Sequence, residues 1–183
     1  MNNQRTIKFL SFKEVRQIID AIPQEGLINR RDRAILEVLF STGLRVSECL
    51  SLKRNDLMGD PKQTLELPVI GKGKVQRTVY ISSPALQTAL RYFAGRVDES
   101  ELAFPIGVRS VQLMVKRRAK EAGVTKPLTV HTFRHSMATY MLKQGASLFY
   151  VQQFLGHAHL ATTSIYLHAT NKELLDIHKK LMR

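Results

Sequence analysis

The sequence predicts a mainly α domain that carries one small antiparallel β element, an α+β arrangement. Two observations predict it. Apolar residues recur at helical spacing through most of the chain, and caps or breakers bound each stretch. A single stretch, 64–81, switches to β-branched, partly alternating runs around a glycine pair. The length of 183 residues suits one domain. No internal repeat, low-complexity tract or Pro/Gly-rich linker divides it.

The elements follow in order. Ser11-Phe12-Lys13-Glu14 has the form of a capping box, with Leu10 and Val15 placed as a hydrophobic staple. The helix it opens carries Val15, Ile18, Ile19 and Ile22 and stops at Pro23. A second helix is expected over about Arg31 to Ser41, burying Ile35, Val38 and Leu39 and breaking at Thr42-Gly43. A short third helix holds Val46, Cys49 and Leu50. Thr64 to Ile70 and Val75 to Ile81 form a hairpin joined by Gly71-Lys72-Gly73-Lys74. Ser83-Pro84 supplies an N-cap followed by proline at the first helical position. Helices are then expected over about Arg109–Ala122, Thr132–Gln144, Ser147–Leu155 and Asn171–Met182.

Charge narrows the function. Twenty-eight Lys and Arg against 15 Asp and Glu leave +13 at neutral pH, which implies a polyanionic partner, nucleic acid before an anionic membrane surface. No apolar run approaches the roughly 20 residues of a membrane span. Asn2 to Lys8 is polar with no apolar run after it, so no secretory signal is expected. The lone Cys49 excludes an internal disulfide framework or a multi-cysteine zinc site and fits a reducing cytoplasm.

Between Ala122 and Lys172 there is no Asp or Glu, yet five of the six histidines lie there: His131, His135, His157, His159 and His168. Catalytic magnesium and calcium need carboxylate oxygens. A window rich in His, Arg and hydroxyls but free of carboxylates suits a bound phosphate instead. His131 and His135 stand at i and i+4 as in a zincin helix, but Thr132 occupies the general-base position and Arg134 adds a cation. No metal is therefore expected.

Five separated pieces then fall into order: Thr42-Gly43-Leu44-Arg45-Val46-Ser47-Glu48, Gly71-Lys72-Gly73-Lys74, His131-Thr132-Phe133-Arg134-His135, Leu155-Gly156-His157 and Ser164-Ile165-Tyr166. With them the sequence resembles the tyrosine recombinase (integrase) family, particularly Xer-type and phage or transposon integrase catalytic domains, from about Leu10 to the C-terminus. Tyr166 follows His157 by nine residues, as in that family.

The residue types suit phosphodiester chemistry on their own account. Arg45 and Arg134 can fork onto non-bridging phosphate oxygens and stay charged. Lys72, between two glycines, can protonate a departing 5′ oxygen. His131 and His157 can hydrogen-bond phosphate or move a proton near neutral pH. Tyr166 can attack phosphorus once cations favour its phenolate.

The resemblance implies the same roles. Arg45, Lys72, His131, Arg134 and His157 become activators, and Tyr166 the nucleophile left on a 3′ phosphate, with no metal or other cofactor. Glu48 matches an acidic position that supports the first arginine, against the plainer reading of an exposed helix glutamate. Lys74, Arg30, Arg31, Lys53, Arg54, Lys116, Arg117 and Arg118 are candidate DNA-backbone contacts, or simply a solvated face. Tyr80, Tyr92, Tyr140 and Tyr150 are expected to pack within strands or helices.

The resemblance also implies double-stranded DNA with specific recombination sites as partner, a homotetramer on that DNA and accessory proteins. A tail helix in 171–183 would be exchanged between protomers. The family's N-terminal core-binding domain finds no counterpart in these 183 residues, so an excised catalytic domain and a naturally short enzyme both remain open. The expected activity is site-specific DNA recombination. A type IB topoisomerase-like strand transferase and a non-catalytic DNA-binding regulator are the alternatives.

Overall fold

The computed structural model describes residues 9–71 and 76–156. Seven helices and one two-stranded sheet run through them in the order α1 (Phe12–Asp20), α2 (Leu27–Thr42), α3 (Val46–Leu50), a 3-10 turn (Arg54–Leu57), β1 (Leu65–Ile70), β2 (Gln76–Ile81), α4 (Ser83–Phe93), α5 (Val108–Glu121), α6 (Val130–Lys143) and α7 (Leu148–Leu155). The α+β expectation holds. No helix among the described residues is long and apolar enough to cross a membrane.

The Ser11 capping box forms as expected. Ser11 Oγ accepts the Glu14 amide at 3.2 Å, and Glu14 accepts the Ser11 amide at 2.8 Å. Leu10 and Val15 on either side of the cap are both buried. The Leu10 amide donates to Ser136 Oγ at 2.8 Å, which ties the entry of α1 to α6.

α2 is the central strut. Ala34, Ile35, Leu36, Val38 and Leu39 are all buried, and the helix packs along α4, α6 and β2. It begins at Leu27, four residues before the expected start. Leu27 and Ile28 lie exposed in its first turn, so that turn has no buried stripe to read from sequence. α4 is capped by Ser82, one residue earlier than expected, and Ser83 Oγ donates to the Pro61 carbonyl at 2.6 Å.

β1 and β2 pair antiparallel from Leu65 opposite Ile81 to Ile70 opposite Gln76. On β2, residues 77, 79 and 81 face inward and 76, 78 and 80 outward. The arginine-rich side of α5 is fastened to α2 by Asp32, which is fully buried and takes ion pairs from Arg31, Arg117 and Arg118 at 2.7–2.9 Å. A smaller apolar cluster, Ala138, Val151 and Leu155, joins α6 to α7. That cluster delivers the end of α7 to the end of α2.

Candidate active site

Three of the five sequence pieces meet where α2, α6 and α7 converge. α2 ends at Gly43, whose φ of 60° turns the chain sharply and places Arg45 at the N-cap of α3. Thr42 supports the turn by accepting the Leu44 amide at 3.2 Å. α7 ends in the same way at Gly156, with φ 64°. Left-handed backbone of this kind is strained for any residue with a Cβ.

Arg134 reaches both turns from α6. Its side chain is buried, with Nη1 donating to the Gly43 carbonyl and Nη2 to the Leu155 carbonyl, each at 2.5 Å. A single guanidinium thus closes two helix ends over one another and sets the turn leading to Arg45 beside the one leading to position 157. The two turns also touch directly. A Cβ on Gly43 would stand 2.8 Å from Leu155 Cδ2.

Arg45 is held from the other side by Glu48. Arg45 Nη1 donates to Glu48 Oε1 at 2.9 Å, and the Arg45 amide donates to Oε2 at 2.8 Å. Glu48 is nearly enclosed rather than exposed, its side chain 10% accessible. Burial pushes its carboxyl upward, but hydrogen bonds from Arg77 and the Arg45 amide outweigh that and hold it down at about 2. Glu48 is therefore a permanent anion beside Arg45. About 30% of the Arg45 side chain stays open to solvent.

Arg77 was not singled out by sequence. It lies on the inward face of β2, and both its terminal nitrogens grip Glu48, at 3.2 and 2.7 Å. The signal was present in the alternation of β2, where Arg77 is in phase with Val79 and Ile81 and so points into the core.

His131 is exposed in the first turn of α6, and His135 is half-buried one turn on. Burial, together with the nearby His131 and Arg134, lowers the His135 imidazole and favours its neutral form. Lys72, Lys74, His157 and Tyr166 lie outside the described residues, as does 171–183.

The candidate backbone contacts separate by environment. Lys116 is exposed. Arg117 is half-exposed but pairs with Asp32, and Arg31 does the same. Arg118 is buried and bound to Asp32 and Glu121, which makes it an internal brace and removes it from the surface set. Lys53 pairs with Glu101 at 3.0 Å, and the Arg54 guanidinium lies over Phe93. Arg30 donates to the Gln24 carbonyl at 3.1 Å.

Two tyrosine expectations are corrected. Tyr80 points outward from β2 and is 45% exposed, with its ring beside Phe154, and Tyr150 is 66% exposed on α7. Outward strand positions and the open face of a short helix leave them there. Tyr92 is buried, and Tyr140 stacks on Phe12.

This arrangement of helices around a small hairpin, with two arginines at its converging ends, is the fold of tyrosine recombinase catalytic domains. The XerA recombinase crystal structure superposes with a TM-score of 0.81 at 28% identity, covering 98% of this chain and 66% of that one. The XerH site-specific recombinase bound to palindromic difH substrate, in a post-cleavage complex, shares the fold at a TM-score of 0.80 and 23% identity, over all of this chain and 56% of that one.

Residues 8–173 match the phage integrase family, and the chain belongs to that family. It is 36% identical over 188 residues to the tyrosine recombinase XerC of Thermodesulfovibrio yellowstonii, covering 94% of this chain and 62% of that protein. It is 36% identical over 182 residues to the tyrosine recombinase XerD of Corynebacterium glutamicum, covering 92% and 59%. The chain thus spans about three-fifths of the length of these curated relatives.

Proposed function

We propose that this chain is the catalytic domain of a site-specific DNA recombinase that cuts and rejoins strands through a covalent 3′-phosphotyrosine on Tyr166. The observation that carries this reading is Arg134 bonded to both the Gly43 and Leu155 carbonyls, which gathers the arginine-bearing and histidine-bearing pieces at one place. Membership of the phage integrase family supports it.

Arg45 and Arg134 take up charge on the non-bridging oxygens as the phosphorus becomes five-coordinate. The Tyr166 oxygen forms its bond to phosphorus while the bond to the 5′ oxygen breaks. Lys72 gives a proton to that leaving oxygen, and His131 or His157 accepts the phenolic proton. Attack by the 5′ hydroxyl of another strand reverses every transfer. The phosphodiester bond energy is kept in the intermediate, so rejoining needs no nucleotide.

The partner is double-stranded DNA carrying recombination sites, gripped through exposed cations such as Lys116. A homotetramer, joined by exchange of the 171–183 segment and licensed by accessory proteins in the cytoplasm, completes the reading.

The test is covalent trapping. Wild type and Tyr166→Phe are incubated with DNA bearing 5′-bridging phosphorothiolates, whose thiol leaving group resists religation, and adducts are located by mass spectrometry. An adduct on Tyr166, missing in the variant, is expected. An adduct on another tyrosine overturns the nucleophile, and relaxation of supercoiled plasmid without recombination sites favours the topoisomerase-like alternative.

A further inference from the structure

We propose that Arg77 is a positioning residue for Arg45, acting through Glu48 and against Gly156; the proposal rests on the recombinase reading. Arg77 is buried, and both its terminal nitrogens are spent on the Glu48 carboxylate that also binds Arg45. Its Nε is the buried side-chain polar atom without a hydrogen-bond partner among the described residues. An arginine whose task was packing alone would be better replaced by an apolar side chain of like volume. Glu48 has two oxygens and three donor groups around it: the Arg77 fork, the Arg45 guanidinium and the Arg45 amide. With Arg77 in place the carboxylate cannot swing, so the Arg45 side chain is fixed at its open end.

Arg77 also meets the other side of the site. A Cβ on Gly156 would come within 2.8 Å of Arg77 Cδ and 3.2 Å of Nε and Nη1. The Arg77 side chain is therefore the floor on which the Gly156 turn rests, immediately before His157 in the chain. Through it β2 is wired to two of the converging turns, whereas Lys72 precedes β2 in the sequence.

Two measurements on the whole chain test this. First, single-turnover cleavage is compared at saturating DNA for wild type, Arg77→Met, Arg77→Lys, Glu48→Gln and the Arg77→Met/Glu48→Gln double variant, on ordinary DNA and on the 5′-bridging phosphorothiolate. Arg77→Met is expected to slow cleavage about ten- to hundredfold on both substrates with DNA affinity unchanged, the scale of a reacting group misplaced by about 1 Å. Arg77→Lys, charged but unable to fork, should recover only part of that. The Arg77→Met and Glu48→Gln losses should be strongly non-additive, because both act through one carboxylate. A thiol leaving group needs no proton, so a defect that vanishes on the sulfur substrate would mean Arg77 serves Lys72, and the proposal falls. Additive losses overturn it as well.

Second, the Arg45 Nε–H resonance, identified by its absence in Arg45→Lys, is followed by NMR without DNA. It should shift or broaden in Arg77→Met, and in Arg77→Lys if the Met variant does not fold. An unmoved resonance in a folded variant overturns the proposal. This second arm decides on Arg77 even if wild type proves unable to cleave DNA, an outcome that would count against the recombinase reading alone.

Discussion

The two arginines of the site sit in different physical situations, and substitution should separate them. Arg134 is buried and satisfies two backbone carbonyls, so Arg134→Ala strips both of their donor. We expect a loss of about 2–6 kcal/mol, from roughly 1–3 for each of the two unsatisfied buried groups. Arg45 is partly open, and its partner Glu48 keeps the Arg77 fork when Arg45 is removed. Arg45→Ala should cost under about 1 kcal/mol, in the range of partly exposed pairs. Both variants should abolish the Tyr166 adduct. Urea unfolding read beside trapping checks the contrast, and equal destabilisation would refute it. Glu48 adds a dependence on pH. Its carboxyl is held at about 2 when folded against 4.5 ordinarily, so its contribution is complete above pH 4.5 and is lost as pH falls towards 2. The stability gap between wild type and Glu48→Gln should therefore be widest above pH 4.5 and close below it, as melting temperatures across that window will show.

At the scale of elements, the site is made by helix ends rather than helix faces. Gly43 and Gly156 each end a helix in left-handed backbone, and each lies against a side chain that a Cβ would strike. Gly123 has φ 72° but nothing within 4 Å of an added Cβ. Gly123→Ala should thus carry only the backbone penalty, about 1–2 kcal/mol, whereas Gly156→Ala adds the collision with Arg77 and should destabilise more. Denaturant midpoints for the two variants settle the ordering, and Gly156→Ala alone should also slow cleavage. Much of this architecture was legible beforehand because its signals are local. The Ser11 box, the stop at Gly43 and the alternation over 64–81 each act within a few residues, and each produced the expected element. What escaped depends on contacts distant in sequence. Arg77 stands 29 residues from Glu48 and Arg134 stands 91 from Gly43, so neither partnership can be read from spacing. The early start of α2 escaped for the opposite reason, since Leu27 and Ile28 face solvent and carry no burial pattern.

Across the whole molecule, the count of 28 Lys and Arg overstates the cations free to meet a polyanion, because the fold engages some of them internally. Arg31, Arg117 and Arg118 crowd around Asp32, with Glu121 also taking Arg118, so three arginines share two carboxylates. Within the run Lys116-Arg117-Arg118 the roles differ at adjacent positions. Helical geometry turns Lys116 outward and Arg118 into the interface with α2. Each phosphate neutralised on duplex DNA releases condensed counterions and contributes about 0.9 to the slope of log affinity against log salt. Lys116→Ala should therefore reduce that slope by about 0.9 with no change in stability. Arg118→Met should leave the slope alone and instead weaken the fold, since Asp32, fully buried, loses its best-enclosed partner and stranded buried charge is costly. Fluorescence anisotropy titrations over a series of potassium chloride concentrations, paired with urea unfolding of the same proteins, read both quantities. A reduced slope in Arg118→Met at unchanged stability would mean that this arginine leaves Asp32 to meet DNA, and that the Asp32 cluster is a reserve of cations rather than a brace between α2 and α5.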